Sequence, residues 1–256
     1  MADTGIATES ADLAAPDGTA DAYVAYPSTG GPHPAVLLYM DAYGIRAALE
    51  AHARRLASAG YFVLAPNAFY RDGPSPLIPN IEEQLRSGDR SALMAVIGPR
   101  MKRLTPDAVT ADAAAWLAYL RSRPEARQGP IGAVGYCMGG RQSLRMAGEF
   151  PDEVAAAASF HGGQLATEAD DSPHLAAVKA TGELYIGHAD NDGSMDPAQM
   201  ARLTQALAEA HVRHTAELYV GSLHGWTQTD TPVYDAPATE RHWHRLTDLL
   251  DRTLKG

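Results

Sequence analysis

The sequence predicts an α/β protein in which a mostly parallel central sheet carries helices on both faces. Short, wholly apolar runs such as 35–40 are typical of strands that are buried on both faces. Amphipathic stretches such as 46–59 follow these runs. Because the two patterns alternate along the chain, we expect crossover connections and therefore parallel strands. In such sheets, chemistry is found at the carboxyl ends of the strands.

The strands are predicted in the following order. An early strand near residues 20–26 is expected to pair antiparallel at an edge of the sheet. The remaining strands are predicted at 35–40, 61–65, 131–136, 155–160, 183–188 and 216–220.

The helices are predicted from apolar stripes and from the residues that cap them. The helix at 46–59 ends before Gly60, a residue that tolerates the left-handed position after a helix. Thr105 and Asp196 each precede a proline, a pattern typical of helix starts, and these two helices run to about 123 and 210. A helix follows Cys137, and a last helix covers 238–254.

Length and composition fit one domain. The chain has 256 residues, 45% of them hydrophobic, which is enough for a substantial core. We divide it into a polar N-terminal lead-in, residues 1–18, and a single α/β domain, residues 19–256. The proline-rich stretch 71–80 is expected to be a loop over that domain, because no change of composition follows it.

Charge and residue usage exclude several classes of function. The net charge is −10, from 21 Lys and Arg against 31 Asp and Glu, which argues against binding to nucleic acid. No apolar run approaches the roughly 20 residues that a membrane helix needs. The N-terminus lacks a basic-then-apolar signal pattern, so we expect a cytoplasmic protein. One cysteine excludes an intrachain disulfide framework and a multi-cysteine metal cluster.

That cysteine, Cys137, stands in the sequence GYCMGG (135–140), directly after a predicted strand and before a helical pattern. G-x-nucleophile-x-G in this context is the nucleophile elbow, here with cysteine in place of serine. The tight turn needs glycine two residues to either side, because a Cβ there would clash with the neighbouring strand and helix. The free N–H groups at the helix start favour negative charge. The alternative is an inert, buried cysteine, and the strand–turn–helix context favours the catalytic interpretation.

An elbow nucleophile needs a base and an acid that orients the base, usually in the chain order nucleophile, acid, histidine. His224 follows the last predicted strand after a short loop and is the expected base. The acid is expected after the strand at 183–188, where Asp190 and Asp192 compete. One of them would orient His224 and the other would cap a turn.

These motifs resemble those of dienelactone hydrolases, small α/β-hydrolase enzymes with a Cys-Asp-His triad, over about residues 20–254. GYCMGG is close to the elbow of that family, and His224 falls at the position of its histidine. The stretch from Asp192 to Met195 fits the D-x-x-V-P acid loop of the family better than Asp190 does. The resemblance therefore implies the α/β-hydrolase fold and a triad of Cys137, Asp192 and His224.

The resemblance also implies roles for residues outside the triad. Asp41 stands where the family has a glutamate that interacts with the thiol, and the amides of Ala42 and Met138 take the positions of the oxyanion hole. Arg71 matches the first of two arginines that bind the substrate's carboxylate in the family. At the second position this chain has Gln228, and a neutral amide does not replace a bidentate guanidinium. The substrate-binding candidates are thus Asp41, Arg71, Trp226 and Gln228.

We expect the chain to hydrolyse a small carboxylic ester or lactone through an acyl-enzyme intermediate. The alternatives are an acyltransferase or thioesterase with the same triad, and a non-catalytic homologue that binds a ligand. A redox-sensing thiol is a third, although a second cysteine is lacking. No cofactor or metal is expected, because the histidines lack ligand spacing and no phosphate-binding or dinucleotide motif is present. The sequence leaves the oligomeric state open.

Overall fold

The structure of the protein is a computed structural model that describes residues 5–87 and 91–256. The chain divides into two compact units, Met1–Gly129 and Pro130–Gly256. The division into a lead-in, 1–18, and one domain, 19–256, stays a prediction.

The first unit contains four strands and four α-helices within its described residues. They are β1 (Ile6–Ala15), β2 (Gly18–Pro27), β3 (Ala35–Tyr39), α1 (Ala47–Ser58), β4 (Phe62–Pro66), α2 (Ile81–Arg86), α3 (Ser91–Met101) and α4 (Pro106–Ser122). Its strand order is β1-β2-β4-β3. Strand β3 runs parallel to β4, whereas β2 runs antiparallel to both β1 and β4.

Strand β1 was not predicted, because polar residues interrupt its apolar ones: Thr8, Glu9, Ser10 and Asp12. Its residues alternate between half-buried and exposed positions, with Thr8, Ser10 and Asp12 on the exposed side and Leu13 buried. A strand with one face in solvent carries polar residues on that face. It therefore lacks the continuous apolar run of a strand that is buried on both faces, even when it is fully paired. The predicted strand near 20–26 exists and is antiparallel, but its predicted place at the edge is wrong, since β1 pairs along its outer side.

The second unit contains four strands and four helices, all of them in described residues. They are β5 (Ile131–Tyr136), α5 (Met138–Glu149), β6 (Val154–Phe160), α6 (Pro173–Ala177), β7 (Glu183–Ala189), α7 (Pro197–Glu209), β8 (His214–Tyr219) and α8 (Ala236–Leu254). The four strands lie in chain order, and every neighbouring pair is parallel. The predicted α/β class with mostly parallel strands is confirmed.

The predicted caps explain where the helices begin and end. The Thr105 hydroxyl accepts a hydrogen bond from the Ala108 amide at 3.3 Å, and Asp196 accepts one from Gln199 at 2.8 Å. Gly60 follows α1 with φ +96°, a left-handed conformation that favours glycine. Helices α2, α3 and α6 and a 3₁₀ turn (Tyr70–Asp72) were not predicted.

The longest helix of the described residues, α8, has 19 residues and is amphipathic, with His242, Trp243 and Leu246 buried. No helix in the described part of the chain combines the length and the apolar character that crossing a membrane requires.

Candidate active site

Cys137 occupies a strained turn between β5 and α5. Strand β5 ends at Tyr136 and α5 begins at Met138, so the whole reversal falls on Cys137, whose φ is +53° and ψ −115°. A Cβ on Gly135 would lie 2.0 Å from the carbonyl oxygen of Gly139, and backbone cannot give way there cheaply. Glycine is therefore required at position 135, two residues before the cysteine, because the backbone of α5 passes so close to it, as predicted for an elbow.

The elbow is hydrogen-bonded to the neighbouring strand, and the residue that carries the thiol stays partly exposed. The Cys137 amide donates to the carbonyl oxygen of Phe160 at the end of β6, at 3.0 Å. The Cys137 residue is half-buried. Met138 opens the first turn of α5, and N–H groups in a first turn have no acceptor within their own helix. This amide can donate to an anion that forms beside the sulfur.

Asp192 and His224 form a short ion pair. Nδ1 of His224 lies 2.6 Å from Oδ2 of Asp192, whose side chain is only 4% exposed, against 27% for the histidine. Asp190 instead accepts a hydrogen bond from the Gly221 amide at 2.9 Å, an interaction that links the ends of β7 and β8. Of the two carboxylates left open by the sequence, Asp192 is the one that contacts the histidine.

Two residues that the sequence analysis did not use support this pair. Ser194 donates from its amide and its hydroxyl to Oδ1 of Asp192, at 2.9 and 2.6 Å. These bonds leave Oδ2 for the histidine. The ring of His161 lies 5.3 Å from that of His224, and its Nε2 is 2.8 Å from the Thr227 hydroxyl. His161 directly follows β6, so its position at a strand end was the available signal.

The surroundings of His224 favour its charged form. Burial alone would lower the pKa of this imidazole. The neighbouring Cys137 thiolate, the hydrogen bonds with Asp192 and Cys137, and the Asp192 charge outweigh burial and raise the pKa to about 10. Burial raises the pKa of Asp192, but its bonds with His224 and Ser194 dominate and hold that pKa below its usual value. The arrangement is a charged imidazole that is paired with the Asp192 carboxylate and lies near the Cys137 sulfur.

The charge on His224 should depend on the thiolate. We expect His224 to remain protonated at about pH 8 in the wild type, and its pKa to fall in Cys137→Ala, which removes the largest raising influence. In the wild type, the folded state keeps a proton on His224 that the unfolded chain releases near pH 6.5. The stability from this pair is therefore complete below that pH and lost as pH rises through about 10.

Titration of the imidazole resonances by NMR checks this expectation, with His224→Gln identifying the signal. An imidazole that titrates near 6.5 in both wild type and Cys137→Ala would contradict it.

Trp226 and Gln228 are enclosed rather than presented to solvent. Trp226 is fully buried, with its ring stacked on Tyr219 at 4.6 Å and edge-on to His161 at 4.9 Å. Gln228 is 3% exposed, and its amide nitrogen donates to the Thr227 hydroxyl at 3.2 Å. Their predicted contact with substrate stays a prediction.

Asp41 and Ala42 lie just after β3 in the first unit. Both carboxylate oxygens of Asp41 are taken by Arg46, at 2.8 and 2.9 Å, and the pair is buried. Oδ1 also accepts from the Tyr43 amide at 2.8 Å. The aspartate at the position of the family's glutamate therefore forms an ion pair with an arginine five residues further along the chain. Its predicted interaction with the thiol stays a prediction.

Arg71 uses all of its donor nitrogens within the first unit. Its Nη1 and Nη2 bind Asp112 at 2.8 and 2.9 Å, and its Nε binds Asp17 at 2.6 Å. The hydrogen bond with Asp112 is the largest influence, and it raises the pKa of the guanidinium. The predicted binding of a substrate carboxylate by Arg71 would require these pairs to open.

No group of three or more His, Cys, Asp or Glu side chains in the described part of the chain is arranged to hold a metal ion.

Fold and site together define the class of α/β-hydrolases with an elbow cysteine. A solved structure of a Klebsiella pneumoniae protein named as a dienelactone hydrolase superposes with a TM-score of 0.79 at 20% identity, over 95% of this chain and 98% of that one. A Pyrococcus horikoshii acylaminoacyl peptidase gives a TM-score of 0.71 at 14% identity, over 99% of this chain and 42% of that one. At these identities, the likeness shows the α/β-hydrolase fold.

The sequence model of the dienelactone hydrolase family matches residues 20–254, and the chain belongs to that family. Two relatives carry the name carboxymethylenebutenolidase. The one from Synechocystis sp. is 27% identical over 237 residues, 91% of this chain and 92% of its own. The one from Methylorubrum extorquens is 26% identical over 257 residues, 96% of this chain and 84% of its own. The predicted family, fold and class of enzyme, an ester or lactone hydrolase, are confirmed.

Proposed function

We propose that the chain hydrolyses small carboxylic esters or lactones through an acyl-enzyme on Cys137. The observation that carries the proposal is the contact of Asp192 with His224 at 2.6 Å, in a site where Cys137 lies close enough to His224 to raise the pKa of the imidazole. This is the nucleophile–base–orienting acid arrangement of covalent acyl transfer. It lies on the turns that follow β5, β7 and β8, where parallel sheets carry their chemistry.

In the first half of the reaction, the Cys137 thiolate attacks the carbonyl carbon and forms a carbon–sulfur bond. The amide of Met138 donates to the oxyanion. The intermediate then collapses, the carbon–oxygen bond to the alcohol breaks, and the His224 imidazolium gives its proton to the departing alkoxide. In a lactone, the same step opens the ring. Asp192 holds the imidazole in the orientation that this transfer needs.

In the second half, neutral His224 takes a proton from water as the water attacks the thioester. Breaking the carbon–sulfur bond releases the carboxylic acid and restores the thiolate beside the imidazolium. In the second half, His224 regains the proton that it gave up in the first half, so the cycle needs no cofactor.

The remaining predicted roles are part of the proposal. Ala42 would supply a second amide to the oxyanion, and Asp41 and Arg71 would act on the thiol and on an anionic substrate. A cytoplasmic location is proposed because a single working thiol favours a reducing compartment.

Turnover of a panel of activated esters and lactones in oxygen-18 water tests the function. We expect one acid and one alcohol per cycle from an ester and one hydroxy acid per cycle from a lactone, with the label in the carboxyl group. A chain that uses another acyl acceptor would form a new ester or thioester without label. A chain that only binds would show saturable binding without products, and either result would overturn the proposal.

A further inference from the structure

Arg141 carries a positive charge about one helical turn beyond the nucleophile. It lies in α5, four residues after Cys137, on the same side of the helix. Long side chains in a helix lean back toward its N-terminus, which here carries Cys137. Burial lowers the pKa of this guanidinium, and the Cys137 thiolate and Asp171 act against that effect. Cys137, just before α5, and Arg141, within α5, are therefore close enough to interact electrostatically.

This guanidinium is held by a neutral partner. Its Nη1 donates to Oε1 of Gln164 at 2.9 Å, and the Arg141 residue is half-buried. Among residues 5–87 and 91–256, no carboxylate forms an ion pair with Arg141. Other arginines of the second unit do have carboxylate partners: Arg202 has Glu168, Arg241 and Arg245 have Glu217, and Arg252 has Glu183.

The partner of Arg141 belongs to the same loop cluster as the triad acid. The Gln164 amide donates to the carbonyl oxygen of Ser194 at 2.6 Å, and the Ser194 hydroxyl binds Asp192. The guanidinium is thus oriented beside the groups that act on the scissile carbonyl, and the exposed Gln164 side chain can be displaced by a ligand. The matching ligand is a carboxylate, which accepts two parallel N–H bonds from guanidinium.

We propose that Arg141 determines specificity by binding a carboxylate that the substrate carries near its scissile carbonyl. The proposal rests on the proposed function, since it assumes attack by Cys137. It adds an anion-binding group on the elbow helix to the role proposed for Arg71. Arg71 has its donors engaged, and residue 228 is a glutamine. With a net charge of −10, the chain repels anions at long range, so an anionic substrate needs a local cation.

The test compares mono(4-nitrophenyl) glutarate, which is anionic, with its neutral methyl ester. Arg141→Gln should raise KM for the anionic ester about 10- to 100-fold and change the neutral ester about twofold at most. Arg141→Lys should recover part of the loss, because the charge returns without the planar fork. The matched control is Arg145→Gln, which removes the same charge one turn further along α5. Within the described residues, the hydrogen bond of the Arg145 side chain goes to the main-chain carbonyl of Asp171, and both esters should be unaffected.

Equal losses on the two esters in Arg141→Gln would assign a structural role to the residue and overturn the proposal. So would an unchanged ratio of the two kcat/KM values. Failure of the proposed function looks different, because Cys137→Ala would then hydrolyse both esters at the wild-type rate.

Discussion

Replacing Cys137 with alanine is expected to reduce kcat for ester hydrolysis by about 10⁴-fold or more. The change removes the only atom in the proposed cycle that bonds to the acyl carbon. It keeps the Cβ and therefore leaves the strained turn at φ +53° no worse than before. Steady-state kinetics on an activated ester, with an unfolding curve to show that the fold is intact, measures the effect.

Cys137→Ser is the informative companion to that variant. Its hydroxyl keeps the position of the sulfur but has no stable anion near neutral pH, so we expect weak activity that still depends on His224. Equal activity of the Cys137→Ala variant and the wild type would show that Cys137 takes no part in the mechanism.

The second large effect is expected from Asp192→Asn, which should lower kcat by about 10⁴-fold with little change in KM. An amide cannot stabilise the imidazolium, and its NH₂ group can turn toward Nδ1 and select the wrong tautomer. The 2.6 Å contact with His224 and the low exposure of Asp192 leave no room for water to replace the carboxylate.

Asp190→Asn is the matched control, two residues away and with the same chemical change. Asp190 accepts from the Gly221 amide, and an asparagine oxygen can do the same. We expect activity within a few-fold of wild type. Loss of activity in Asp190→Asn that equals the loss in Asp192→Asn would contradict the assignment of the acid.

The parts of the site that are local in sequence were predictable. The elbow is a six-residue pattern, and at Gly135 the need for glycine comes from the turn itself, since a Cβ there would lie 2.0 Å from the carbonyl oxygen of Gly139. His224 follows from its place after the last strand. The choice of Asp192 over Asp190 depended on the family's acid loop, because both carboxylates follow the same strand and only the orientation of the loop separates them.

Long-range partners were not predictable. Arg71 was expected to face a substrate, but Asp112 lies 41 residues away in sequence and occupies its guanidinium. The pairing of Asp41 with Arg46 depends on how the turn after β3 folds back, which residue types do not reveal. Strand β1 was missed for a related reason, since its pairing with β2 rather than its composition makes it a strand.

The most direct test of the central claim is intact mass spectrometry after rapid acid quench of wild-type enzyme that is turning over an activated ester. The account predicts a mass increase equal to one acyl group, mapped by digestion to the peptide that contains Cys137 and absent from Cys137→Ala. Acyl groups on a different residue, or full turnover in Cys137→Ala with no adduct at any quench time, would contradict it.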